Sequence, residues 1–130
     1  SMGGYGALKC ALTHPENYAG CGSFSGVTDL KAFMGRQALP MHPWEFTALL
    51  GEGHEVGPEN DLSALAKQVK DPPAIYFSCG EQDVHYPMNC EFDRLLTELG
   101  IVHRYDHREG GHSWDFWDRS IQDAMDYLLK

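Results

Sequence analysis

Basic charge, long apolar runs and closely spaced cysteines are all scarce in this chain of 130 residues. Lysine and arginine number 10 against 19 aspartates and glutamates, giving a formal net charge of -9. A surface that tracks phosphates needs the opposite sign, which argues against nucleic acid and anionic membranes as partners. No apolar stretch approaches the roughly 20 residues that cross a bilayer, and no charged start followed by an apolar core marks a signal peptide. The cysteines, Cys10, Cys21, Cys79 and Cys90, include no C-x-x-C pair. Amid periodic helices and strands they read as buried reduced thiols rather than a disulfide framework, so a cytoplasmic protein is expected. Repeats, low-complexity tracts and long blocks of like charge are also missing.

What is present is an ordinary globular composition, 42% hydrophobic and 22% charged, enough for one domain. From Met2 to His14 the spacing of Ala7, Leu8, Ala11 and Leu12 is helical, and Pro15 stops it. Ala19 to Ser25 is a short run of small and apolar residues that reads as a buried strand. Residues 27–59 have weak periodicity and form an irregular excursion, with short helices expected at Leu30–Met34 and Pro43–Leu50. Asn60 or Asp61 can cap a helix that carries Leu62, Leu65, Ala66 and Val69 on one side, ended by Pro72 and Pro73.

The run from Ala74 to Cys79 is apolar throughout and of strand length. A polar loop, Gly80 to Tyr86, leads into a helix whose buried stripe is expected to be Phe92, Leu95, Leu96 and Leu99, with Gly100 as its stop. Val102 to His107 alternates and is charged, as an edge strand is. After Gly110 and Gly111 a last helix carries Trp117, Ile121, Ala124, Met125 and Leu128 on one side. Alternating helices and strands imply an α/β sheet with parallel strands and helical crossovers.

Functional side chains of such sheets collect in the loops beyond the C-terminal strand ends. Two of those loops, Gly80 to His85 and Arg108 to Ser113, hold polar residues with no evident structural duty. Asp83 in the first and His112 in the second would set a carboxylate beside an imidazole, the pair that activates a serine hydroxyl. Ser1-Met2-Gly3-Gly4 running straight into a helix matches the downstream half of a G-x-S-x-G nucleophile elbow. The backbone N–H of Met2 would then face a developing oxyanion, helped by the helix dipole. The order Ser, Asp, His along the chain is the α/β-hydrolase order.

These segments, Ser-Met-Gly-Gly-Tyr-Gly-Ala-Leu-Lys (1–9), Cys-Gly-Glu-Gln-Asp (79–83) and Gly-Gly-His-Ser-Trp-Asp-Phe-Trp-Asp (110–118), closely resemble the putative-esterase family of α/β hydrolases. That family includes tributyrin esterases, S-formylglutathione hydrolase (esterase D) and feruloyl and acetylxylan esterases. The third segment points most to the tributyrin esterase-like branch. The resemblance spans the chain, most weakly between Val27 and Glu59. It implies that Ser1 is the nucleophile, Asp83 the triad acid, His112 the general base and Met2 an oxyanion donor. It implies hydrolysis of short-chain acyl esters through an acyl-serine, with a small-molecule ester as partner and neither metal nor organic cofactor. It also implies that residues 1–130 are the C-terminal part of one α/β-hydrolase domain with its N-terminal strands missing. A missing half or self-association should then complete the sheet.

Other readings stand beside these. The same triad serves a thioesterase of the S-formylglutathione hydrolase type, and a catalytically incomplete fragment would act only within a larger assembly. An N-terminal-nucleophile mechanism using the amine of Ser1 would leave Asp83 and His112 without a purpose. Glu81 is a rival acid, and Asp83 could merely cap the next helix. His103 and His107 share a strand face but lack a third ligand for a metal. His85 and Trp44 are candidate substrate-binding residues. Met34, Met41, Trp44 and Phe46 could cover an acyl pocket or form a local core, and Trp114 and Trp117 read as core anchors rather than a sugar platform.

Overall fold

The computed structural model describes residues 1–36 and 41–130, so residues 37–40 of the expected excursion lie outside the described part. Among the described residues six α-helices and three strands follow in order: α1 (Met2–Thr13), β1 (Gly20–Phe24), α2 (Leu30–Arg36), α3 (Pro43–Leu50), α4 (Leu62–Gln68), β2 (Ala74–Gly80), α5 (Tyr86–Glu98), β3 (His103–Arg108) and α6 (Trp114–Leu128). Short 3₁₀ turns at Pro15–Asn17 and Pro58–Asn60 precede β1 and α4.

Local chemistry explains the boundaries. Asp61 caps α4, its carboxylate accepting the Ser63 N–H at 3.0 Å. Pro43 opens α3, where its missing N–H costs nothing, and Glu45 reaches back to the His42 N–H. Past α5 the chain turns at Gly100, whose φ of +71° is the left-handed conformation that glycine adopts freely.

The sheet order is β1-β2-β3, and both pairings are parallel. Gly20 stands opposite Ala74, and Ile75 opposite His103. Alternate side chains of β2 go to opposite faces. Ile75 and Phe77 join Leu8 and Leu12 of α1, Leu62 and Leu65 of α4, and Phe92 and Leu96 of α5 in the main core. On the other face Tyr76 packs against Phe24 and against Tyr127 of α6. With both faces covered, every residue of β2 after Ala74 is buried, which is why this strand reads as an unbroken apolar run.

Close approach fixes the start of α1. A Cβ at Gly4 would lie 2.8 Å from the Cα of Gly26, in the loop that follows β1. The first turn of the helix therefore rests on the rim of the sheet.

Two helices bury a different stripe from the one expected. In α5 the buried residues are Met88, Asn89, Phe92 and Leu96, while Leu99 falls just past the helix end and is exposed. In α6 they are Phe116, Ser120 and Ala124. Ile121 and Met125, the latter 52% exposed, turn away from the sheet. This helix carries apolar residues on two faces, and the described sheet covers only one.

The excursion packs onto the main core. Leu30 and Phe33 belong to it, and Met34, Met41 and Phe46 lie partly buried against it. All four cysteines are unbridged. No helix among the described residues is long and apolar enough to cross a membrane.

Candidate active site

The loops after β2 and β3 are tied together by hydrogen bonds of their own. Glu81 N–H donates to the Arg108 carbonyl (2.9 Å), Gln82 N–H to the Gly110 carbonyl (3.0 Å), and Gly110 N–H to Gln82 Oε1 (2.7 Å). The two loops pass so closely that a Cβ on Gly80 would run into the Gly110 carbonyl. Gly110 itself has φ +146° and lies under the Phe116 ring. We expect Gly80→Ala, in the protein as its gene encodes it, to push the His112 loop off its position and to slow reaction of Ser1 with a fluorophosphonate probe about a hundredfold. Labelling rates, with circular dichroism as a fold control, check this.

On that platform three side chains distant in sequence form one hydrogen-bonded chain. Ser1 Oγ meets Nε2 of His112, and Nδ1 of His112 meets Asp83 Oδ2 at 2.7 Å. Ser1 is brought in at the N-terminus of α1, which leaves the N–H groups of its first turn, Met2 included, without intrahelical acceptors. Asp83 sits in a turn closed by its own N–H on the Gly80 carbonyl, and its side chain is fully buried. Its second oxygen, Oδ1, accepts the His85 N–H at 2.9 Å. Both carboxylate oxygens are therefore assigned, one to the imidazole and one to the loop. With its proton on Nδ1, the imidazole is oriented to accept a hydroxyl proton at Nε2.

The rival acid is elsewhere: Glu81 pairs with Nδ1 of His107 at 2.9 Å. His103 bonds Asp93 Oδ1 and the Ile101 carbonyl, both at 2.7 Å, so these two strand histidines have separate partners. His85 comes to the site as a wall rather than an open pocket lining, being only 1% exposed. Its ring stands perpendicular to His112, centroids 5.4 Å apart, and packs against Phe33 of α2 on another side. Burial pushes the His85 pKa below its ordinary 6.5, with the Asp83 charge opposing, and its Nε2 has no hydrogen-bond partner among the described residues. Among the described residues, one group has the ligands for a metal: Asp83, His85 and His112, whose ligand atoms lie within 4.8 Å of one another. Trp44 is not brought to the site; it is 66% exposed on α3 and stacks on His42.

The contact of Trp117 with His112, and the part of Ser25 in holding Trp117, escaped the sequence reading. Trp117 meets the imidazole at 90°, centroids 4.9 Å apart, and its Nε1–H donates to Ser25 Oγ at 2.9 Å. Ser25 is fully buried with φ +49°, a conformation that costs a serine about 1–3 kcal/mol and concentrates at functional sites. Its N–H continues the β1–β2 ladder to the Ser78 carbonyl. The Ser-Gly after a strand hinted at a turn, but nothing in the sequence tied it to an indole ninety-two positions away. Trp114, expected in the core, is 74% exposed and leans on Trp117. A cavity of about 360 Å³ adjoins Ser1, lined by Phe24, Trp114, Trp117, Asp118 and Ile121.

Comparison with known proteins places this geometry in context. A family described as "Putative esterase" matches residues 1–128. An acetyl esterase of Caldicellulosiruptor saccharolyticus is 31% identical over 140 residues, covering all of this chain and 52% of that protein. Among solved structures, the S-formylglutathione hydrolase FrmB of Staphylococcus aureus superposes with a TM-score of 0.86 at 27% identity. The fluorophosphonate-binding serine hydrolase FphF of the same organism gives 0.85 at 29%. Each superposition covers all of this chain and 52% of the other. The fold is that of an α/β hydrolase, and the chain spans about half the length of these relatives.

Proposed function

The chain belongs to the putative-esterase family, and from that premise we propose that it carries the triad of a serine carboxylic ester hydrolase for short-chain acyl esters. The observation that carries this reading is the hydrogen-bonded chain from Ser1 through His112 to Asp83.

In the proposed reaction Ser1 Oγ attacks the ester carbonyl carbon while His112 Nε2 takes the hydroxyl proton. The carbonyl π-bond becomes an oxyanion, held by the Met2 N–H and the positive end of α1. The carbon–oxygen bond to the alcohol then breaks, His112 returns its proton to the leaving alkoxide, and acyl-Ser1 remains. A water enters, His112 takes its proton, and the same steps in reverse release the acid. Asp83 keeps the imidazole in the required tautomer and stabilises the imidazolium. The apolar hollow beside Ser1 offers one wall to a small acyl group.

Residues 1–130 act, in this reading, as the C-terminal part of a single hydrolase domain. The Ser1 amine donates to the Phe24 carbonyl at 3.2 Å, and the Ser1 carbonyl accepts the Val27 N–H at 3.2 Å. The backbone at Ser1 thus already follows the free edge of β1 as a parallel neighbour would, and preceding residues would continue along it. The uncovered face of α6, with Trp114, Ile121 and Met125, offers the same missing half an apolar seat. Engagement of the amine with Phe24 also speaks against its serving as the base for Ser1. The unbridged thiols favour a cytoplasmic setting.

A thioesterase reading draws on the likeness to S-formylglutathione hydrolase. It uses the same triad and differs in the leaving group. Rates on p-nitrophenyl acetate, p-nitrophenyl butyrate and S-formylglutathione separate the two in the protein as its gene encodes it. A fluorophosphonate probe should label Ser1. An unlabelled serine together with no hydrolysis of any of the three substrates would sink both. Activity of the whole protein but not of residues 1–130 alone would identify the chain as a fragment that needs its other half.

A further inference from the structure

We propose that Asp83, His85 and His112 form an inhibitory site for a borderline divalent transition metal, with Zn²⁺ as its representative ligand. The inference rests on the hydrolase reading, because it assigns a second ligand to the same two triad groups.

One carboxylate oxygen and one ring nitrogen from each histidine already lie within 4.8 Å of one another. Bonds of about 2.0–2.1 Å in a tetrahedral zinc site set neighbouring ligand atoms about 3.3 Å apart. Two imidazoles and a carboxylate are the donor set of zinc, copper and nickel sites, whereas magnesium and calcium take oxygen ligands. Water can fill the fourth position through the exposed quarter of the His112 side chain.

His85 is the residue the hydrolase mechanism leaves unused. It is almost wholly buried beside His112, and its Nε2 has no partner among the described residues. A polar nitrogen stranded in this way costs free energy that a metal bond would recover. Asp83 Oδ1 and the His85 backbone hold the two residues in one turn, so two of the three ligands are preset.

Metal and catalysis exclude one another. Bound through His112 Nε2, the ion takes the lone pair that must accept the Ser1 proton. Bound through Nδ1, it drives the ring proton to Nε2, which can then no longer accept the proton of Ser1, and it takes the Asp83 carboxylate away from the imidazole. Either way Ser1 loses its activated base, and withdrawal of the metal restores it.

The test uses the protein as its gene encodes it, with two independent readouts. Isothermal titration with Zn²⁺ measures binding whether or not any ester is turned over, and a Co²⁺ absorption spectrum reports the coordination. Hydrolysis of p-nitrophenyl acetate with graded Zn²⁺, then with a chelator, measures inhibition. His85→Gln and His85→Leu, each compared with its own metal-free rate, are the diagnostic variants. The expected result is one reversible Zn²⁺ per chain, inhibition that the chelator reverses, insensitivity to Mg²⁺, and at least about a tenfold loss of zinc affinity in both variants. Zinc affinity unchanged in both variants, or no zinc binding in the submillimolar range, overturns the proposal. If no ester is hydrolysed but His85-dependent zinc binding is found, the hydrolase reading fails and the metal site stands.

Discussion

Ser1→Ala, in the protein as its gene encodes it, is expected to lower kcat for ester hydrolysis by about 10⁵- to 10⁶-fold while leaving KM within a small factor. The substitution deletes one oxygen. Its backbone contacts, Ser1 N to Phe24, Ser1 O from Val27 and from Tyr5, do not involve the hydroxyl and hold α1 in place. Loss of activity with an unchanged circular dichroism spectrum therefore assigns the effect to chemistry and not to folding. Residual rate above that of water would come from the oxyanion donors and substrate binding. Labelling by a fluorophosphonate should vanish in parallel. A variant that keeps even a tenth of wild-type kcat would mean that another group is the nucleophile.

Asp83→Asn should cost about 10⁴-fold in kcat, and the structure says why an isosteric change is so damaging. Asp83 Oδ1 accepts the His85 N–H at 2.9 Å, so the asparagine carbonyl is pinned to that side. Its NH₂ group then takes the place of Oδ2 and points at His112 Nδ1. A donor facing Nδ1 drives the imidazole proton to Nε2, where it can no longer accept the proton of Ser1. Glu81→Gln serves as the control, because Glu81 is paired with His107 on the surface and should leave kcat within about twofold. Measuring kcat for both variants on one substrate decides between the two acids; the reverse pattern would discard Asp83.

Much of this architecture was legible because local rules coincided with tertiary ones. Pro43 at the first turn of α3 and Asp61 as the cap of α4 are short-range signals, and both helices begin where those residues put them. The strand at Ala74 read as buried because it is buried on both faces. Where one element faced two possible neighbours, periodicity failed. Helix α6 has apolar residues on two sides, and only the sheet decided that Phe116 and Ala124 go inward while Ile121 and Met125 do not. The same ambiguity misplaced Trp114, and it hid the part Trp117 plays beside His112. A perpendicular ring contact and an indole hydrogen bond to a strained serine leave no mark at any fixed spacing.

The sequence by itself determined the chemical inventory: a serine ahead of a small-residue helix start, an acid after a buried strand, and a histidine after an edge strand. It also determined the order of elements, because hydrophobic period and caps act over a few residues. Tertiary structure alone decided that Ser1, His112 and Asp83 meet in one hydrogen-bonded line, since that convergence depends on parallel register and on two loops passing close enough to exclude a Cβ at Gly80. It also decided that Asp83 rather than Glu81 faces the imidazole, and that His85 is sealed beside them. The reason is physical. Which groups touch across a sheet is set by long-range packing, and local propensity carries no information about it.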